Sequence, residues 1–371
     1  MPGDTGAGSL ARRLDSHTRA GLLGRVEGDA VRCVACGHRC RILPGRRGIC
    51  RVRFNDHGQL RVPFGYVAGL ACDPVEKKPF FHVHPGSDAL TFGMLGCDLH
   101  CAHCQNWLTS QVLRDDAAGG RMEATTPGQL VAAARRHGAR LLVSSYNEPL
   151  ITAEWAAAVF EAARPAGLAC AIVSNGNGTP EVLDFLQPWL TAMKIDLKGF
   201  NDRRYRSLGG TLAAVTETIR SVHTRGLWLE VVTLLVPGFN DDPAELRDLT
   251  QFLAGVSRDI PWHVTAFHPD YRMTDVRPGA ADDLLRAVET GREAGLRYVY
   301  AGNLPGRVGP WEDTRCAGCD LTLIRRRGFQ VLEQRLTPAG GCPACGERIP
   351  GIWGDAGILS GGRRTPQPVH L

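Results

Sequence analysis

The chain has 371 residues, 43% of them hydrophobic, and carries a net charge of +5 at pH 7. That length allows two or three domains with a sizeable core, and so small a charge excess does not by itself mark a protein that binds polyanions. No apolar run reaches the roughly 18 residues of a membrane-spanning helix, and the polar start lacks the apolar core of a signal peptide, so the sequence reads as cytoplasmic.

Residues 1–30 are expected to be mobile. The segment 31–85 opens with Cys33, Cys36, Cys40 and Cys50 among Arg39, Arg41, Arg46, Arg47, Arg51 and Arg53. It reads as a small metal-tied unit and a linker. No aromatic ladder accompanies the arginines, as single-strand binding would need, so a solvated basic face is preferred to a nucleic-acid patch. Over 86–305 short apolar runs alternate with amphipathic ones. The strands expected are 88–95, 140–145, 168–173, 192–197, 227–235, 262–267 and 297–301. The helices expected are 127–137, 153–164, 180–187, 212–225, 243–256 and 281–294. Thr126 and Pro127 start the first helix and Gly138 ends it. This alternation predicts an α/β fold with a parallel sheet, a partial (β/α)6 TIM-like barrel, with a doubly wound open sheet as the alternative. From 306 to 358 the rhythm stops and a second cysteine-rich unit follows. The tail 359–371 reads as disordered.

The chain has 13 cysteines, and they cluster. In a reducing compartment such spacings indicate metal or cluster ligation rather than disulfides. Cys97, Cys101 and Cys104 form CxxxCxxC just past the first barrel strand. Three thiolates on a [4Fe–4S] cube leave one iron open, whereas four would close it. The competing reading is a zinc site completed by His100 or His103. Placement favours the cluster, because residues just beyond parallel barrel strands share one face. Here those residues are Ser145 to Pro149, Ser174-Asn175-Gly176, Asp196-Leu197-Lys198, His268-Pro269-Asp270 and Gly302-Asn303. Each alone has a plainer explanation: a turn at Asn175-Gly176, an ion pair between Asp196 and Lys198, a helix cap at Glu148, a loop histidine at His268.

Cys316-Ala-Gly-Cys319 and Cys342-Pro-Ala-Cys345 form two CxxC knuckles around a predicted hairpin, the pattern of a zinc ribbon. For Cys33, Cys36, Cys40 and Cys50, zinc is preferred to an auxiliary cluster. Cys72 and Cys170 read as buried small hydrophobes. Glu76-Lys77-Lys78 reads as a solvated charge run.

At Cys97, Cys101, Cys104, Gln105 and Asn106 the sequence resembles the cluster loop of the radical S-adenosylmethionine (SAM) superfamily, in particular pyruvate formate-lyase activating enzymes. Glu148 matches the last position of that family's Gly-Gly-Glu motif, with Tyr146-Asn147 in place of the glycines. Ser174-Asn175-Gly176 resembles its Asp-Thr-Asn-Gly segment and Asp196-Leu197-Lys198 its Asp-Leu-Lys motif. Over 31–354 the chain resembles the radical SAM member of the AmmeMemoRadiSam system. The blocks are Cys33 to Cys50, Asp73 to Pro79, His84-Pro85-Gly86, Cys104 to Trp107, Tyr146 to Pro149, Asp196 to Asn201, Val236 to Asn240, Phe267 to Asp275, Gly302 to Gly306 and the last CxxC pairs.

The resemblance implies a [4Fe–4S] cluster on Cys97, Cys101 and Cys104, with SAM held near Asn106, Glu148, Asn175, Asp196, Lys198 and His268. Reductive cleavage of SAM to a 5′-deoxyadenosyl radical would then abstract hydrogen from a substrate, with proteins among the classes considered. It also implies a flavodoxin or ferredoxin as electron donor and Memo-like and AMMECR-like partners. The rival functions are a glycyl-radical activating enzyme and a non-enzymatic zinc protein that contacts nucleic acid.

Overall fold

The computed structural model describes residues 7–354 and 367–369. Seven parallel strands build its central sheet: β1 (Asp88–Gly93), β2 (Leu141–Ser144), β3 (Ala169–Ser174), β4 (Ala192–Asp196), β5 (Trp228–Leu235), β6 (Trp262–Ala266) and β7 (Val299–Gly302). Between them run α1 (Pro127–Arg136), α2 (Ala153–Ala163), α3 (Pro180–Leu186), α4 (Leu212–Thr224), α5 (Pro243–Val256) and α6 (Ala281–Glu293). Every boundary falls within two residues of its expected place.

Each strand hydrogen-bonds to its predecessor in sequence. With no reversal in strand order the crossovers all turn one way and the helices share one face. This is the partial barrel; a doubly wound sheet would reverse its order at a switch point. An antiparallel strand, Gly69–Pro74, lines the β1 edge. The chain then turns into the barrel, where Val75, Phe80 and Val83 pack against Ala89, Leu141, Val143, Ala171 and Ala192. The end of the barrel where the strands begin is thereby filled. The end where they finish holds the polar cavity described below.

Two expectations of mobility do not hold where the structure describes the chain. Residues 7–30 form a helix, Ala7–Ser16, and two strands; Thr18–Ala20 pairs with Gln59–Pro63, and Gly24–Glu27 with Ala30–Cys33. Leu14 and Leu23 are buried, and the Glu154 carboxylate on α2 accepts the N–H groups of Leu22 and Leu23 at 3.2 and 3.3 Å. In the tail, Gln367–Pro368 pairs with Gly69–Pro74, and Val369 is buried. That pairing takes up backbone groups of an otherwise open sheet edge. Residues 1–6, 355–366 and 370–371 lie outside the described residues.

The arginine-rich stretch is also less free than expected. Arg39 pairs with Glu181 at 2.6 Å, Arg47 with Asp15 at 2.6 Å and Arg53 with Glu154 at 2.8 Å. Among the described residues no helix is long and apolar enough to cross a membrane.

Candidate active site

β1 delivers the chain to Gly93, and the loop that follows carries the three cysteines. Cys101 is buried beside Leu99 and Leu208, with Cys97 and Cys104 against the same patch. Cys97 Sγ accepts the Leu99 N–H at 3.4 Å, and Cys104 Sγ lies 3.2 Å from Ser110 Oγ. Burial pushes the Cys101 thiol up to about 12. A thiolate there needs a cation beside it, as a metal centre provides.

A cavity of about 340 Å³ opens over these thiols. Cys97, Cys101, Cys104, Asn106, Glu148, Asn175, Asp196 and Lys198 all line it. His268 is exposed and takes no part in the lining; Thr265 and Asn303 occupy that side. The chain past β6 carries the imidazole outward to solvent, so this expected site residue is not brought in.

Glu148 ties the ends of β2 and β3 together. Its Oε1 accepts from Ser174 Oγ at 2.7 Å and from the Leu150 N–H at 3.0 Å, and its Oε2 accepts from the Asn175 N–H at 2.7 Å. The expected cap on the following short helix is thus present. Burial first, then the nearby Asp98, raise its proton affinity above the usual carboxylate range. Along β4, Lys194, Asp196 and Lys198 follow the period of two that puts alternate residues on one face. Both lysine ammoniums reach Asp196, that of Lys198 at 3.1 Å. Against burial, they hold Asp196 well below its usual range. Both plain readings of these residues, cap and ion pair, are realised at the cavity wall.

Sequence reasoning missed three features. Asp98, fully buried, accepts from Asn175 Nδ2 and Asn177 Nδ2, each at 2.8 Å. These bonds fasten the cysteine loop to the end of β3. The available signal was a carboxylate inside the cysteine motif facing two asparagines in Ser174-Asn-Gly-Asn177. Tyr146, where the resemblance has glycine, keeps a left-handed backbone with φ of +68°, a strained conformation for a bulky residue. Its hydroxyl donates to Asp73 at 3.2 Å and accepts from Lys78 at 3.3 Å. Glu76 and Lys78, expected in a solvated run, are buried, and Lys77 and Lys78 line the cavity. The run folds into the barrel mouth because Val75 and Phe80 on either side belong to the core.

The cysteine groups differ in spacing. Sulfurs of Cys316, Cys319, Cys342 and Cys345 all lie within 4.8 Å of one another. Metal–sulfur bonds of about 2.3 Å put tetrahedral ligand sulfurs about 4 Å apart, so this group fits a single ion. Neither the group at 97–104, with or without His103, nor the group at 33–50 converges so closely. A cube separates its thiolates further, because each binds a different iron. Cys97, Cys101 and Cys104 offer three thiols at one cavity, the number of ligands that would leave one iron of a cube open.

The model of the radical SAM superfamily matches residues 92–250, from the end of β1 through the cysteine loop into α5. The uncharacterized protein MJ0808 of Methanocaldococcus jannaschii is 36% identical over 328 residues, covering 88% of this chain and 96% of the relative. A domain of pyruvate-formate lyase-activating enzyme from Bacteroides vulgatus is 16% identical with a TM-score of 0.39, over 43% of this chain and 98% of that one. A radical SAM methyltransferase from Sphaerobacter thermophilus is 17% identical with a TM-score of 0.45, over 61% of this chain and 70% of that one. The superfamily match covers the strands and loop that build the cavity, and the archaeal relationship extends far beyond them: the chain belongs to the radical SAM superfamily.

Proposed function

We propose that Cys97, Cys101 and Cys104 hold a [4Fe–4S] cluster whose open iron takes SAM, and that the chain thereby removes a hydrogen atom from a substrate admitted to the cavity. The observation that carries this reading is the set of three cysteines, unconverged for a single ion, on a cavity that also receives the polar ends of β2, β3 and β4. When bound, the cluster and SAM supply one-electron cleavage of the sulfonium to methionine and a 5′-deoxyadenosyl radical.

The chain's own residues bind and orient. Glu148 Oε2 accepts one hydrogen bond and retains acceptor capacity for the ammonium of the methionine moiety. Lys198, steadied by Asp196, offers a cation to its carboxylate. Asn106 lies at the exposed edge of the cavity, where its amide would meet the ribose or adenine of the cofactor. Asn175, its amide committed to Asp98, positions the cysteine loop rather than the cofactor. Leu99, Val173, Val232 and Leu234 give the cavity an apolar lining that limits water near a reactive radical.

Resemblance in ordered blocks over 31–354 supports placement in the AmmeMemoRadiSam system, with Memo-like and AMMECR-like partners and a flavodoxin or ferredoxin as reductant. The same reading divides the chain into units at 31–85, 86–305 and 306–358, and assigns one structural zinc to Cys316, Cys319, Cys342 and Cys345. The test is anaerobic: reconstitute with iron and sulfide, add SAM and dithionite, and measure 5′-deoxyadenosine. The chain yields product and Cys101→Ala falls to background. Equal product from both, or none from an iron-loaded chain, overturns the reading.

A further inference from the structure

We propose that Cys33, Cys36, Cys40 and Cys50 hold a second [4Fe–4S] cluster, packed against the loop that carries Cys97. The four thiols gather through local structure. The strands Ala30–Cys33 and Arg41–Ile42 pair, and the Cys33 N–H donates to the Cys40 carbonyl at 2.9 Å. Cys36 and Cys50 pack together against Val52 and Ile151.

Three observations point to an anionic occupant, and the first of them to a polynuclear one. The first is spacing. These sulfurs do not converge as the C-terminal four do in the same chain, and that group serves as an internal standard for a one-ion site. The second is the donor set. Cys40 Sγ receives the Ile49 N–H at 3.5 Å. Such a contact stabilises a metal-bound thiolate. The third is an orphan. Arg53 is 1% exposed, and both its terminal nitrogens bind Glu154, yet its Nε has no partner. A buried N–H without an acceptor costs about 1–3 kcal/mol, and an anionic centre on Cys50, three residues before Arg53, would offer one.

Contact with the Cys97 loop is direct. His38 Nε2 lies 3.1 Å from the Asp98 carbonyl oxygen, and the Gly37 N–H donates to the Asn177 carbonyl at 2.9 Å. A side chain at Gly37 would collide with the Asn177 amide, so the two units meet too closely for any larger residue.

The experiment uses the full chain with Cys97, Cys101 and Cys104 all replaced by alanine, reconstituted anaerobically. It should retain about four irons and four sulfides, and after reduction a paramagnetic signal that SAM leaves unchanged. Adding Cys36→Ala should remove both. A triple variant without iron, or one with about two zincs per chain, overturns the proposal, and neither result depends on the Cys36 variant folding. The outcome also separates this site from the catalytic one. Iron in the triple variant without 5′-deoxyadenosine from the parent chain would sink only the catalytic reading. Product from the parent with no iron in the triple variant would sink only this one.

Discussion

The two cysteine units at the ends of the chain are docked on the barrel by the same kind of contact, a buried arginine–glutamate pair, in opposite electrostatic states. At the N-terminal unit Arg53 grips Glu154 of α2 with two bonds of 2.8 Å. Glu154 also takes two backbone N–H groups, and against burial these partners hold it below its usual range. At the C-terminal unit Arg326, from the strand Thr322–Arg327, stands 3.6 Å from Glu76 at the barrel mouth. Glu76 accepts one N–H, from Gly86, and its other oxygen has no partner. Burial therefore prevails and pushes it up to about 7. Arg326 spends its terminal nitrogens on Thr314 and the Phe81 carbonyl instead. The same residue pair, equally buried, is a firm ionic clamp where both carboxylate oxygens are hydrogen-bonded and an acid with raised proton affinity where one oxygen is not.

The largest expected effect comes from breaking the firm clamp. Glu154→Ala leaves a buried guanidinium uncompensated and should cost about 3–5 kcal/mol, read as a drop in the denaturant midpoint. A loss below about 1 kcal/mol, the range of exposed pairs, would show that Arg53 reaches water once released and that the dock is held by packing alone.

A smaller effect, of distinctive sign, belongs to the loose pair. Glu76 binds its proton more tightly folded than unfolded, so its contribution is complete below pH 4.5 and is lost as pH rises toward about 7. Glu154 works the other way: its contribution is present above pH 4.5 and is lost as pH falls through its lowered folded value. Glu76→Gln should flatten the decline in Tm between pH 5 and 7 and leave the acid limb below pH 4.5 in place. A decline of undiminished slope in that variant would assign the titration to another group.

What the sequence disclosed follows from how local each feature is. The barrel was legible because β-branched runs, N-caps and glycine stops are written within each element. The cavity was legible because position after a strand implies position on one face: Glu148, Asn175, Asp196 and Lys198 could be placed together with no contact known. His268 failed the same rule because its loop leaves the barrel, and nothing local records the direction of a loop. Asp98, the Tyr146–Asp73–Lys78 cluster and the burial of Glu76 all depend on partners some 70 or more residues away, or on a segment that enters the barrel from outside the repeat. Leu14, Leu23 and Val369 read as parts of polar termini until the surfaces they cover are known.

The smallest effect calibrates the other two. Helix α1 carries neither clamp, and its start is a local device: Thr126 Oγ1 accepts the Gln129 N–H at 3.3 Å, while Gln129 Oε1 accepts the Thr126 N–H at 2.9 Å. Thr126→Ala removes one cap and should cost about 1 kcal/mol, with the same value at pH 5 and pH 8 because no titrating group takes part. If its cost instead followed pH as Glu76 does, the barrel and its C-terminal dock would be melting as separate units with α1 in the weaker one, and the Glu154 and Glu76 effects would have to be measured as two transitions. A single pH-independent loss means that barrel and docks unfold together, so the difference between the two clamps can be read from one melting curve.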